Sequence, residues 1–506
     1  MRIMRKLSAF LTAILLFTCF SAFSESDAFT EVYTYNYDYW EDLRESPNAY
    51  KVKTVIYSST LGLDKPMQRP QSLFVKGDDM YVADTGNNRV LKLTLENGEF
   101  ILDSIIDRVN GADVPTLSAP SDISVDNDGN IYIADKNNNR VVVMDSELNY
   151  VKQFTKPADS TFDQDASFLP NRIVTDSVGR LYVLADNVNK GLAKFEADTT
   201  FSGFIGANKV TVSMFEYIWK YYFLSDEQRA KSENAVPTRY ENMYIDEEGF
   251  IYATNTVFSE YDLKWDNANP IRRINGIGDD ILIKNDRYPP IGDYRWVDGT
   301  NNVNLGPSKF SDITVLEDDI YVAFDRTRGR LFGYDSQGVM LWAFGTRGNY
   351  EGAFNAGAGV SIEHMGRDLF CLDQTSSSIT VFTPTEYGNL IYDANNAYVR
   401  GDYDGSADMW REALKYNANY NMAFRGIGRS LLRQSEYSEA MRYFKMAHDR
   451  INYGRAFRLY RKEWVEANIG WVIGILAAII VFFVGRGLLK KMKFEVAMYE
   501  RDHIVK

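Results

Sequence analysis

Short apolar runs, alternating with polar positions and broken by turn residues, fill most of the chain. Residues 80–93 read Met-Tyr-Val-Ala-Asp-Thr-Gly-Asn-Asn-Arg-Val-Leu-Lys-Leu, and residues 131–144 read Ile-Tyr-Ile-Ala-Asp-Lys-Asn-Asn-Asn-Arg-Val-Val-Val-Met. Tyr81, Asp84 and Arg89 thus recur 51 residues later as Tyr132, Asp135 and Arg140. Weaker copies carry Tyr182, Asp186 and Lys190, then Tyr252 and Asn255, then Tyr321, Asp325 and Arg330, then Phe370, Asp373 and Ile379. Most copies are preceded by a strand ending in an acidic turn, such as Ile-Ser-Val-Asp-Asn-Asp-Gly-Asn at 123–130. Each unit reads strand, Asp/Gly turn, strand, Asp-to-Arg turn, strand and a fourth apolar run. Six four-stranded units of about 50 residues predict a mainly β fold, a six-bladed β-propeller over 30–386. The run at 50–57 has no unit of its own, and the expectation is that it supplies the outer strand of the last blade and closes the ring.

After Tyr387 the period becomes 34: Tyr403, Trp410 and Ala413 return as Tyr437, Phe444 and Ala447. Phe424, Ile427, Gly428, Leu431, Ala440, Phe444 and Ala447 fit the helix–turn–helix spacing of a tetratricopeptide repeat, which predicts a small α-helical module over 387–463. Fewer than three full repeats is marginal for independent stability, so the module is expected to lean on the propeller or a partner.

The ends of the chain carry membrane signals. Arg2, Arg5 and Lys6 precede an apolar run from 7 to about 23 that turns polar at Ser24-Glu25-Ser26-Asp27. This pattern predicts a secretory signal peptide over 1–24, with an uncleaved anchor as the alternative. A lipoprotein signal at Cys19 is rejected because Thr18 is too large for that motif. Residues 467–485 hold no charge, and at about 1.5 Å per residue they span roughly 28 Å, close to a bilayer's hydrocarbon core. A transmembrane helix over 467–489 and a basic cytoplasmic tail over 490–506 follow, with Arg486, Lys490, Lys491 and Lys493 trailing the run. The reading is a single-pass protein of the cell membrane with the propeller outside.

Two insertions interrupt the repeats. The first, near 205–236, is aromatic-rich and helical, with Ser225 and Gln228 spaced as a capping box; the second, 256–269, lengthens a turn of the fourth unit. Insertions in repeat folds form loops, either a functional rim or a lid packed over the propeller.

The pattern Asp-x-x-Gly-x-(Ile/Leu)-Tyr-(Val/Ile)-x-Asp-x-x-x-Asn-Arg-(Val/Ile) resembles the NHL-repeat propellers over roughly residues 60–385, strongly in the first two units and poorly in the fourth. The resemblance implies a binding platform; a minority of related propellers are lactonases or amidating lyases.

Composition narrows the chemistry. Aromatic residues make up 14% of the chain, with 33 Tyr and 30 Phe, as suits pleated, half-buried surfaces. With 56 basic and 69 acidic residues the net charge is −13, which disfavours nucleic acid as a partner. The only cysteines are Cys19 and Cys371 and the only histidines His364, His448 and His503, too few for a cysteine zinc site or a multi-histidine centre. The histidine-bound zinc of the amidating lyases would find only His364 in this propeller, too few ligands, and the Glu–Asn–Asn–Asp set of the metal-dependent lactonases cannot be mapped residue by residue. Asp126-Asn127-Asp128-Gly129 looks like half a calcium loop, but a tight β-turn explains it better.

The Asp-to-Arg turns are the candidate ligand site. Asp84, Asn88, Arg89, Asp135, Asn139, Arg140, Asp325, Arg328 and Arg330 would ring the channel mouth and hold an acidic or polyhydroxylated ligand. The plainer reading is that Asp and Asn stabilise these turns and the arginines brace neighbouring blades. Tyr33, Tyr35, Tyr37, Tyr39 and Trp40 form an alternating aromatic strand, expected to pack on the propeller edge, with a platform for sugar rings as the alternative. No catalytic residue, metal or cofactor is expected. The functional expectation is a membrane-anchored extracytoplasmic binding or scaffold protein. Its propeller face takes a protein, peptide or glycan and its helical module a second protein, in a role accessory to an envelope transporter. The alternative is a metal-dependent lactonase or hydrolase of the gluconolactonase type.

Overall fold

The computed structural model describes residues 33–38, 40, 42–159, 162, 164, 165, 167–186, 188, 190–206, 240–259, 262, 263, 268–284, 290–293 and 306–503. The expected signal peptide and the body of the first insertion lie outside the described residues, as does part of the second. The chain forms two units, Met1–Ile391 and Tyr392–Lys506.

The first unit is a β-propeller of six sheets. Its innermost strands are Ser72–Lys76, Pro120–Val125, Pro170–Thr175, Tyr240–Ile245, Phe310–Val315 and Gly359–Met365. Each touches the innermost strand of the blade before and after it, and the sixth touches the first, so the strands form a closed ring. The period of two explains how blades stack. In Ile131–Asp135, Ile131 and Ile133 join the apolar cluster shared with blade one, whereas Tyr132 and Ala134 join the cluster shared with blade three. Such a strand is apolar on both faces because both faces are covered by a neighbouring sheet.

Closure follows the expectation. Tyr50–Ile56 pairs antiparallel with Ser378–Pro384 as the outer strand of blade six. Tyr50 is fully buried, its ring 5.0 Å from those of Phe344 and Trp342 in blade five, and its hydroxyl donates to Arg367 O at 3.0 Å. The aromatic N-terminal strand also packs on an edge: Thr34–Tyr37 pairs with Met340–Phe344 and then with Leu43–Glu45, so blade five has six strands.

The structure corrects the repeat alignment in three places. Blade four has three paired strands among the described residues, since beyond Ile271–Ile274 the chain makes only the single bridge Ile274–Asp280. In blade three Ala185 stands where Asp135 stands in blade two, because Pro170 pairs with Ala185 as Pro120 pairs with Asp135; Asp186 is one residue further on. In blade six Asp373 pairs with Ser378, so Ser378 rather than Ile379 takes the arginine's place.

In the second unit, helix α1 (Glu386–Val399), which begins in the first, leads into α2 (Tyr403–Tyr416), α3 (Asn421–Arg433), α4 (Tyr437–Met446) and α5 (Arg450–His503). The helix–turn–helix pairs have the tetratricopeptide-like character expected. Asp402 caps α2 by accepting from Gly405 N at 2.9 Å. Gly426 of α3 lies against the Trp410 indole and Gly428 against the Phe444 ring, positions where a side chain would collide. Helix α5 is continuous and largely exposed, and it is long and apolar enough to cross a membrane.

Replacing Tyr50 by Ala removes a buried ring from the closing strand. Tyr50→Ala is expected to cost about 3–5 kcal/mol, read as a lower urea midpoint for the full chain in detergent; a change under about 1 kcal/mol would show that this contact does not hold the closure.

Candidate functional site

The Asp-to-Arg turns are built alike in blades one and two. Thr85–Asn87 and Lys136–Asn138 are single 3₁₀ turns, each closed by a left-handed asparagine, Asn88 (φ 55°) and Asn139 (φ 54°). Asparagine suits that conformation better than most residues, which accounts for the Asn-Arg signature. Asp84 is fully buried and accepts from Gln68 N (2.7 Å), Asn87 Nδ2 (2.8 Å) and Arg89 Nε (2.7 Å). Asp135 repeats this with Ser118 N (2.7 Å), Asn138 Nδ2 (2.8 Å) and Arg140 Nε (2.9 Å). The arginines then reach backbone carbonyls of the entering loops, Arg89 to Lys65 O and Arg140 to Val114 O, both at 2.6 Å. Other atoms of the turns tie successive blades: Thr85 Oγ1 donates to Pro120 O at 2.7 Å, and Asn88 Oδ1 accepts from Ala119 N at 2.8 Å.

Blade five varies the scheme. Arg328 takes the latch position, with Nη1 3.3 Å from Asp325 and Nη2 donating to Gly306 O at 2.6 Å. Arg330 turns to Asp293 at 2.6 Å. That buried carboxylate also accepts from Tyr35 (2.5 Å) and Tyr37 (2.8 Å), so it fastens the N-terminal strand. Burial pushes the Asp293 carboxyl up, but the Arg330 and Arg328 guanidiniums outweigh it and hold it below the usual range. Of the nine candidate residues, the structure pairs Asp84 with Arg89, Asp135 with Arg140, and Asp325 with Arg328. Arg330 joins Asp293 instead, while Asn88 and Asn139 are exposed, Asn88 still accepting from Ala119 N of the next blade.

None of the nine lines the cavity that the central channel holds. This cavity of about 690 Å³ runs from Ser72, Asp122 and Asp312 to the first turns of the blades at Asp126, Asp176, Asp246 and Gly366. Asp122 accepts from the Ser72 hydroxyl and, at 2.7 Å, from Ile173 N of the next blade. Asp312 accepts from Ser361 Oγ and Ile362 N, both at 2.8 Å. Arg172 of blade three reaches carbonyls of the two preceding blades, Ser121 O at 2.9 Å and Gln71 O at 3.3 Å. These contacts knit the inner strands together around the channel. The next layer carries Phe74, Ser124, Tyr244, Glu363 and His364, with His364 Nδ1 2.8 Å from Thr314 Oγ1.

Burial sets the protonation of both layers. It lifts Asp122 above the ordinary carboxylate range and Asp312 to about 7, in each case against the opposing pull of Arg172 and of hydrogen bonds. Glu363 is raised well above its ordinary value by burial, then by Asp312 and Asp122, while burial lowers His364 to about 4.

The channel carboxyls escaped notice in the sequence, although a signal was present: Ser-Asp-Ile recurs at 121–123 and 311–313, at the same position in two inner strands. The tight-turn reading of Asp126 holds, since its Oδ1 accepts from Asp128 N (3.0 Å) and Asn130 N (2.9 Å). Among the described residues no group of three or more His, Cys, Asp or Glu is arranged to hold a metal ion.

Two variants separate these roles. Asp135→Asn leaves Arg140 buried against a neutral group and is expected to cost about 3 kcal/mol or more, partly restored by adding Arg140→Met. An unchanged urea midpoint would refute the latch. Because Asp312 in the fold holds its proton more tightly than in the unfolded chain, its contribution is fully present below about pH 4 and is lost as pH rises through about 7. The stability of the protein relative to Asp312→Asn should therefore fall between pH 5 and pH 8, by on the order of 1–3 kcal/mol. A flat difference in urea unfolding would contradict it.

An NHL repeat family model matches residues 117–144, which cover the latch of blade two. No curated protein matches the chain. Similar solved structures include a streptogramin B lyase, 12% identical over 70% of this chain and 88% of that one, with a TM-score of 0.35. Others are virginiamycin B lyase from Staphylococcus aureus (10% identity, 66% and 99% covered, TM-score 0.37) and a structural genomics protein from Bacteroides thetaiotaomicron (11%, 67% and 73%, 0.40). At these identities the likeness is one of fold alone. The chain is a six-bladed β-propeller whose second blade matches the NHL repeat model, followed by tetratricopeptide-like helices and a long apolar helix.

Proposed function

We propose that the protein is a membrane-anchored, extracytoplasmic binding or scaffold protein. The propeller would present its face to a protein, peptide or glycan, and the helical module would dock a second protein in a role accessory to an envelope transporter. The observation that supports this most is helix α5. It leaves the helical module and continues unbroken through the apolar run, so the last helix of the module and the candidate membrane span are one helix. Both architectures present surfaces, and the Asp-to-Arg residues that first suggest chemistry are committed to internal ion pairs.

Orientation is tested by single-cysteine labelling in intact cells of a bacterial host, in a Cys19→Ser background where the buried Cys371 stays silent. Asp128→Cys, in an exposed turn of blade two, should react with a membrane-impermeant maleimide from outside. Lys506→Cys should react only after permeabilisation. The opposite pattern, or recovery of the chain in the soluble fraction, would overturn the anchored reading.

A further inference from the structure

We propose that the channel cavity binds a small hydroxylated ammonium compound, the amino sugars being the simplest of that class. Three carboxyls, Asp122, Asp312 and Glu363, lie within it or at its floor. Arg172, beside this layer, is directed to the carbonyls of Ser121 and Gln71. The cations at the rim are likewise engaged. Lys76 donates to Val125 O (3.1 Å), Asp126 O (2.7 Å) and Asn127 Oδ1 (3.0 Å), Arg180 pairs with Asp176, and Arg273 pairs with Asp246. A cationic ligand entering past Asp126, Asp176 and Asp246 reaches Glu363 without passing a cation that is not already engaged.

Two side chains give the cavity polar atoms that a ligand can engage. Glu363 is 9% exposed, and its carboxyl meets only the backbone N–H of its neighbour His364. Asn242 is 4% exposed and lines the cavity; its Oδ1 accepts from Met243 N at 2.8 Å, while its Nδ2 donates to nothing. Both side chains line the cavity, where their polar atoms are open to hydrogen bonds from a ligand. An ammonium group supplies donors to Glu363, and a hydroxyl oxygen supplies the acceptor for Asn242. Phe74 and Tyr244, from blades three apart in the ring, give the cavity aromatic walls that suit a cation or the apolar face of a sugar ring. At about 690 Å³ the cavity falls within the range of small-molecule sites. The proposal stands whether or not the outer surfaces dock macromolecules.

The test is isothermal titration of the full chain in detergent at about 0.15 M salt, where charges on the outer surface are screened beyond about 8 Å. The probes are glucosamine and glucose, which differ at one position by an ammonium against a hydroxyl. Glucosamine should bind at one site and glucose about tenfold more weakly or not at all. Glu363→Gln should weaken glucosamine by about tenfold or more, and Asn242→Leu by several-fold, with unliganded unfolding midpoints recorded for each variant. Equal binding of the two sugars, no binding of glucosamine, or glucosamine affinity unmoved by Glu363→Gln would overturn the proposal. Should Glu363→Gln fail to fold, Phe74→Leu carries the test: several-fold weaker binding sustains the site and unchanged affinity refutes it.

Discussion

The propeller depends on one non-covalent seam, the pairing of Tyr50–Ile56 with Ser378–Pro384. The partners lie more than 300 residues apart, so closing the loop costs conformational entropy that grows with its length. No disulfide helps, since Cys371 is free and buried. The seam is instead reinforced by packing: Tyr50 stacks on Phe344, and Thr34–Tyr37 extends blade five directly beside it. Asp293 then holds that added strand through Tyr35 and Tyr37, with Arg330 as counter-ion. The channel exists only while this seam is closed, because its wall is made of strands from all six blades.

The residues most visible in the repeat turn out to serve the same end. A buried aspartate alone would be costly, and a buried Asp–Arg pair repays its desolvation only with good geometry and further hydrogen bonds. Asp84 and Asp135 meet both conditions, each accepting a backbone N–H and an asparagine amide besides the guanidinium. The arginine's remaining donors reach a loop carbonyl of the same blade, and the turn's other polar atoms reach the next blade. A motif of four charged or amide residues thereby fixes the entrance, the turn and the neighbour at once, which is sufficient reason for its repetition.

What could be read in the chain divides along the same line. The propeller, its closure and the helical pairs were legible because period-two and period-34 patterns follow directly from strand and helix geometry. The third copy misled because Asp186 lies near the expected place, yet Ala185 holds the register position and Asp186 pairs with Lys136 of blade two. The channel was harder to see. Inner-strand positions are separated by about 50–70 residues in sequence, and residues as different as Ser72, Asp122, Arg172, Asn242 and Asp312 share one layer. Periodicity finds positions that repeat in kind. A site assembled from one different residue per blade leaves no such trace, apart from the echo of Ser-Asp-Ile.

The two ends of the propeller therefore do different work. At the end where blades connect, buried ion pairs and Arg172 spend their charge on backbone carbonyls and neighbouring strands. Further along the channel Glu363, and beside Arg172 the amide of Asn242, present polar atoms to the cavity. Repetition selects for mutual support, so a blade-specific departure such as Glu363, in a layer where the neighbouring blades carry Phe74 and Thr314, is where a function independent of the fold is to be sought. The carboxyl opposes stability through its burial, and a role in recognising a ligand is the physical ground on which such a cost is kept.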